Sequence, residues 1–455
     1  MRRSCQLTIA IVILGLALFP PFHLPRQVVA ILPTSTSAVG TSPSAYGSII
    51  AFTTDEVKIQ ADLNGDGDRL DRVIRYYDVV SGTLTNTRAL GDFPSVYESL
   101  IVSTMPNGTI TIFNITSSNL INTGVRGEGA RVWGDSVAFT GLGPGFSQKV
   151  GIYHLSTRLT ENTGAFGSYP SLHGRILAFS TSEAQVNSDL NGDGTIDPFT
   201  SVARYYDTAS RTVVNTEALA DKVSAYGSII GFDYAQNAPI RFHNTTSGVT
   251  GDTGTVGLAP VVYGDLIFME NGTIRKYQLS TGTSEDTRID GNAVTAYQNL
   301  VAFETDENIV NKDLNGDHQI KDVVIRFFEL PYHDVAVSSL TPSGTDMNQP
   351  PITLTATITN PGDSTETFSL TFLWNSTIIS TVSGITLGSK MSTSVSVQWS
   401  TGSLLPGAYV LSARASVVSG ESETVNNLFV DGTLVKPAPA PIGTGAGGGS
   451  SPRAR

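Results

Sequence analysis

Tyr46-Gly47-Ser48-Ile49-Ile50-Ala51-Phe52, residues 46–52, is the stretch on which the reading of the whole chain turns. An aromatic residue and a glycine open a turn, and an aliphatic-Ala-Phe run follows that reads as a short buried strand. The same aromatic-Gly-x-x-aliphatic-Ala-Phe text returns, with variations, at 97–103, 133–139, 173–179, 226–232, 263–269 and 297–303. Seven copies are therefore visible, headed by Tyr46, Tyr97, Trp133, His173, Tyr226, Tyr263 and Tyr297. Each is followed by a second strand pattern, first seen as Ile74-Arg75-Tyr76-Tyr77-Asp78, and repeated at 110–114, 150–154, 203–207, 240–244, 274–278 and 325–329. A Ser/Thr-Gly turn and a short segment such as Asn122-Thr123-Gly124 or Asn162-Thr163-Gly164 close a typical unit.

Units of this length hold four short strands each, and the period along them is that of strands, with no stretch sustaining a helical period. The expected fold is all-β: a seven-bladed β-propeller over residues 31–331 followed by an immunoglobulin-like β-sandwich. The units resemble TolB-like and archaeal surface-protein propeller repeats over roughly residues 44–330. The seventh unit lacks an outermost strand of its own, so residues around 30–42 are expected to supply it and close the ring, because an open edge invites pairing with another chain.

Units one, four and seven are longer because an acidic insertion separates their second and third strands. The insertions read Asp62-Leu63-Asn64-Gly65-Asp66-Gly67-Asp68, Asp189-Leu190-Asn191-Gly192-Asp193-Gly194-Thr195 and Asp313-Leu314-Asn315-Gly316-Asp317-His318-Gln319. They start 127 and 124 residues apart, and a glutamate stands six positions before each: Glu56, Glu183 and Glu307. Oxygen-bearing side chains at alternate positions of a tight turn converge on one point, which suits calcium, a hard cation with six to eight oxygen ligands. The loops resemble the first half of an EF-hand loop. Their flanks are strands, however, and position 12 is Val73, Thr200 or Val324, none of them a bidentate carboxylate. A resemblance to the calcium loops of FG-GAP repeats implies that a later carboxylate, Asp71, Asp197 or Asp322, completes each site.

The expected Ca2+ ligands are thus Asp62, Asn64, Asp66, Asp68 and Asp71 in the first loop. The second offers Asp189, Asn191, Asp193, Thr195 and Asp197, and the third Asp313, Asn315, Asp317, Gln319 and Asp322. A solvated acidic turn without an ion is the alternative, and it weighs more on the third loop, where His318 replaces a glycine expected at positive φ. In units two and six the same connection is a tight hairpin, Asn107-Gly108 and Asn271-Gly272, the dipeptide favoured for type I′ turns, so the acidic loops replace hairpins and are expected to project from one face.

From residue 333 the text changes to longer alternating strands, expected at 352–359, 367–374, 392–399 and 408–415 within a module spanning 332–435. The opening 333–337, the turn Asn360-Pro361-Gly362-Asp363, the run Leu404-Leu405-Pro406-Gly407-Ala408-Tyr409 and the ending Asn426-Asn427 resemble the CARDB domain, an Ig-like module of prokaryotic surface proteins linked by name to adhesion. Trp374 and Trp399 each end an alternating strand and read as core fillers. Residues 436–455 are rich in Pro, Ala, Gly and Ser and read as a disordered tail.

At the other end Arg2 and Arg3 precede an apolar run over 7–19, the pattern of an export signal cleaved near residue 30. An uncleaved N-terminal membrane anchor is the alternative. Cys5, the one cysteine of the chain, lies before that run, so a processed protein has no disulfide and no thiolate site. The net charge of −12 argues against nucleic acid as a partner and fits cation binding.

A secreted or cell-surface, non-enzymatic protein follows from these readings, with an extracellular protein or glycan as partner. The competing expectation is a hydrolase or lyase acting on extracellular polysaccharide, with Glu56, Glu183 or Glu307 as acid/base groups. Isolated histidines and the absence of a nucleophile elbow or phosphate loop point toward the first, and the glutamates' fixed distance from every acidic loop suggests ligation or loop bracing instead of acid/base work.

Overall fold

The structure, a computed structural model, describes residues 32–142, 148–341, 351–421 and 423–438. The expected export segment with Cys5 and the tail from 439 onward lie outside the described residues. Lys436 is not part of the tail, because it still ends the last strand, Leu428–Lys436. Among the described residues no helix is long and apolar enough to cross a membrane.

The molecule is all-β and built from antiparallel sheets. In unit one the strands Thr41–Tyr46, Ile49–Asp55, Arg72–Asp78 and Thr83–Leu90 pair in chain order. The units headed by His173, Tyr226 and Tyr263 repeat this four-stranded order. Units two and three share the long strand Asn119–Trp133, which ends one and begins the next and so joins them into a seven-stranded sheet. In each unit the turn after the leading aromatic residue brings the second strand back along the first, with Tyr46 opposite Ile49 in unit one.

The first strand of every unit packs against the first strand of the next, and that of unit seven packs against that of unit one. The seven leading residues consequently meet in a closed girdle. Ring centroids are 4.9 Å apart for Tyr46–Tyr97 and for Tyr97–Trp133, 3.8 Å for Trp133–His173 and 3.9 Å for His173–Tyr226. The circuit closes with 4.5 Å for Tyr226–Tyr263, 5.3 Å for Tyr263–Tyr297 and 4.0 Å for Tyr297–Tyr46. Burial pushes the Tyr46 and Tyr263 hydroxyls well above the usual phenol range, so the girdle carries no phenolate at neutral pH. This circular stacking of sheets supports a β-propeller.

The circle is closed by the chain's own beginning. Strand Thr34–Val39 pairs with Val323–Glu329, with Thr34 opposite Phe327 and Val39 opposite Val324, and becomes the fourth strand of unit seven. A side-chain device repeated in every outer strand identifies it as the missing piece. In six units a threonine hydroxyl donates to a carbonyl of the third strand: Thr87 to Ile74, Thr123 to Ile110, Thr163 to Val150, Thr216 to Ala203, Thr253 to Ile240 and Thr287 to Ile274. Thr36 does the same to Ile325 at 2.7 Å. The residue after each threonine adopts a left-handed conformation, Ser37 among them with φ 57°, so each outer strand carries the same bulge.

Between neighbouring sheets the core is filled by the ends of the motif: Phe52, Phe139, Phe179, Phe232 and Phe303 are all fully buried, each worth roughly 1.5–3 kcal/mol relative to exposure. A glycine six residues ahead of the leading residue, Gly40, Gly127, Gly167 or Gly291, seats the rings of Phe52, Phe139, Phe179 and Phe303, whereas Ala220 stands at that position in the unit of Phe232. A Cβ on Gly167 would lie 2.4 Å from the Phe179 ring and 3.1 Å from the Val150 side chain. Gly167→Ala is therefore expected to cost about 1–3 kcal/mol by overpacking, read as a lower denaturant midpoint with an unchanged slope.

Residues beyond 332 form a two-sheet sandwich. Ala336–Thr341, Ile352–Thr359 and Ser392–Trp399 make one sheet; Thr377–Leu387, Glu366–Trp374, Gly407–Ala415 and Leu428–Lys436 make the other. Leu354, Leu370, Phe372 and Leu411 lie in the apolar cluster between them. Trp399 belongs to that cluster, and Trp374 packs against it with its ring edge-on to Tyr409 at 5.2 Å, as expected of core fillers.

Candidate metal centres

The acidic connections occupy the place expected for them, between second and third strands of units one, four and seven. Each opens with a single helical turn that the strand-based reading does not anticipate: Glu56–Ile59, Glu183–Val186 and Glu307–Val310. The turns end on a left-handed residue, Gln60, Asn187 or Asn311, which sends the chain into the acidic stretch.

The glutamate that starts each turn is completely buried. In the first loop Glu56 Oε1 accepts the backbone N–H of Leu63 at 2.5 Å and of Asn64 at 3.2 Å, while Oε2 accepts that of Asp71 at 3.1 Å. Glu183 repeats this with Leu190 at 2.8 Å, Asn191 at 3.2 Å and Asp197 at 3.0 Å. Glu307 does so with Leu314 at 2.6 Å, Asn315 at 3.2 Å and Asp322 at 3.2 Å. One carboxylate thus pins both ends of each loop with charge-assisted hydrogen bonds. A second tie comes from the outer strand, where Asn86 and Asn215 donate to the carbonyls of Leu63 and Leu190, each at 2.7 Å. Ser35 of the ring-closing strand does the same for Leu314 at 2.9 Å.

The predicted ligands fall into two groups. Asp62, Asp189 and Asp313 turn both carboxylate oxygens onto loop N–H groups: Gly65 and Gly67, Gly192 and Gly194, Gly316 and His318. Asn64, Asn191 and Asn315 accept from Asp66, Asp193 and Asp317, whose own Oδ1 atoms accept from Asp68, Thr195 and Gln319. His318 does take the left-handed conformation, with φ 66°, where the other two loops have Gly67 and Gly194.

In the first loop Asp68 and Asp71 meet Glu56, with carboxylate oxygens of all three within 4.8 Å of one another. Glu56 is absent from the expected ligand set, although its fixed spacing was the available signal. Among the described residues no equivalent trio forms in the other two loops. In the third loop Asp322 is buried, and its Oδ1 has no hydrogen-bond partner. Burial raises the Asp322 carboxyl above its ordinary range, as it does Asp71, whereas hydrogen bonds from the Asp68 N–H and the Asn64 side chain hold Asp66 below it. Clustered oxygen donors, crowded carboxylates and an orphaned carboxylate oxygen fit a hard divalent cation. Residues that would hold it are Glu56, Asp68 and Asp71 in the first loop and Asp322 in the third.

The hairpins of units two and six occupy the corresponding connections. Only the glycine is left-handed in each, Gly108 and Gly272, so these turns are not the type I′ form expected from Asn-Gly.

A scan against protein-family models gives no match, and neither does a search of curated proteins. Among solved structures, the crystal structure of BamB from Moraxella catarrhalis is 12% identical, with a TM-score of 0.36, over 64% of this chain and 83% of that one. The CARDB domain of a Pyrococcus furiosus protein, in complex with di-metal ions, is 17% identical over 24% of this chain and 96% of its own, with a TM-score of 0.21. A domain of a putative cell surface protein from Methanosarcina acetivorans is 26% identical over 24% of this chain and 92% of its own, also with a TM-score of 0.21.

Proposed function

We propose that this chain is a secreted or cell-surface binding protein: a seven-bladed β-propeller braced by Ca2+ in its acidic loops, followed by an Ig-like module of CARDB type that acts as spacer or adhesion element. The carrying observation is that three acidic loops starting 127 and 124 residues apart share one architecture, a buried glutamate that pins the loop backbone at both ends. Bound calcium would neutralise the crowded carboxylates and add its binding free energy to folding. An extracellular protein or glycan is the partner this reading requires, recognised on a propeller face that the braced loops hold rigid.

The rival reading, a polysaccharide hydrolase or lyase, needs carboxylates that a substrate can touch. Glu56, Glu183 and Glu307 are fully buried and each already accepts three backbone N–H groups, which favours bracing over acid/base work.

Calorimetric titration of the mature protein with calcium is the test. Saturable uptake is expected, together with a melting temperature that falls when chelator is added. A chelator-insensitive melt with no heat of binding would remove the mechanism.

A further inference from the structure

Two positions before each girdle residue, the innermost strands carry a second repeated feature. Ser44, Ser95, Ser171, Ser224 and Thr295 each accept, through the hydroxyl, the backbone N–H of the next unit's first strand: Val96, Val132, Ala225, Val262 and Ala45, at 2.9–3.3 Å. These bonds stitch neighbouring units together inside the ring. Two units depart from it: unit six has the apolar Val261 there, and unit three has Arg131, whose guanidinium has no acceptor atom and so cannot take the N–H of Leu172 in the next unit.

Arg131 is also uncompensated. Its Nη1 donates to its neighbour's carbonyl, Ala130 O, at 2.9 Å, and among the described residues it joins no ion pair. The side chain retains partial contact with solvent but is deep enough that desolvation lowers its pKa. An enclosed cation without a counter-charge costs stability, and a serine is what four other units place there. The molecule has therefore kept a charge where the repeat supplies a cheaper residue.

A donor with no partner lies on the adjacent first strand. His173 Nδ1 accepts the N–H of Gly227 at 2.8 Å, and burial pulls the ring's pKa down to about 4, so at neutral pH the proton sits on Nε2. That Nε2 is buried and has no partner. The His173 ring stacks on Trp133, which follows Arg131 by two residues and so shares its side of the strand.

We propose that Arg131, His173 and Trp133 form a site inside the ring for a small carboxylate ligand with a flat body. The guanidinium fork matches a carboxylate, the imidazole N–H supplies a further donor, and the girdle offers an aromatic wall. A cationic ligand is disfavoured, since the guanidinium is itself a cation and the imidazole Nε2–H is a donor. The site belongs to the girdle end of the ring, apart from the acidic loops, and does not depend on whether they hold calcium.

The test uses benzoate as probe and benzyl alcohol as its uncharged counterpart, titrated calorimetrically or by ligand-observed NMR into the full chain with excess calcium. Benzoate is expected to bind and benzyl alcohol to bind at least tenfold more weakly. Arg131→Ser, which installs the residue of the neighbouring units, is expected to weaken benzoate roughly tenfold or more, the worth of a charge-assisted pair. Without ligand it is expected to melt at the same temperature or higher. Arg131→Gln serves as a second neutral variant should the serine protein fold poorly, and the same loss is expected. No benzoate binding by the wild type, equal binding of the alcohol, or affinity kept within twofold in the folded neutral variants would each overturn the assignment.

Discussion

Glu183→Ala is expected to lower the stability of the chain by about 3 kcal/mol, because it removes the completely buried carboxylate that satisfies three loop N–H groups, those of Leu190, Asn191 and Asp197. A buried donor left without a partner costs about 1–3 kcal/mol, and here one side chain satisfies three of them. The measurement is denaturant unfolding in chelator, which isolates the bracing role from any bound ion. Glu183→Gln should cost less, since its amide oxygen still accepts from Leu190 and Asn191 while its NH2 opposes the Asp197 N–H. A loss under about 0.5 kcal/mol for the alanine variant would show that the loops are held by something else.

Removing residues up to 40 is expected to have the largest effect of any single change. Without Thr34–Val39 the strand Val323–Glu329 becomes an open edge, and Ala38, part of the apolar cluster shared by units seven and one, is lost from the core. The Thr36 bond to Ile325 and the Ser35 bond to the third acidic loop go with it. The truncated chain should lose the cooperative transition of the propeller region or aggregate through the exposed edge, both visible by denaturant titration and size-exclusion chromatography. A monomer that unfolds with the full-length midpoint would mean that the closure contributes nothing.

Most of the architecture was legible because the repeat writes the same turn and the same buried run seven times. The leading aromatic residues marked the unit starts, and they turn out to be the girdle as well, even at His173, where the residue type changes but the stacking persists. The closing strand was legible by subtraction, since unit seven was one strand short. What was hard to read is carried by small residues whose meaning depends on neighbours in space. Gly167 matters because of Phe179, and Ser44 matters because of Val96 in the next unit. The bulge threonines lay inside the noted Asn-Thr-Gly segments, yet their role appears only with the third strand in place.

The loops were legible as acidic turns and less so as ligand sets. Alternation along the sequence pointed to Asp62, Asn64 and Asp66, whereas the folded loop spends much of that oxygen on its own N–H groups and gathers Glu56 with Asp68 and Asp71. Spacing alone does not say which lone pairs the backbone consumes. Glu56 lies outside the acidic stretch; its fixed spacing points to ligation or bracing, and the fold shows which loop N–H groups it takes.

A crystal structure determined in saturating calcium, with data collected at a wavelength where the ion scatters anomalously, decides whether the acidic loops hold the ion. An anomalous peak is expected in each of the three loops, ringed by side-chain oxygens at about 2.3–2.6 Å and including Asp71 in the first and Asp322 in the third. Ordered loops with no peak under those conditions would contradict it.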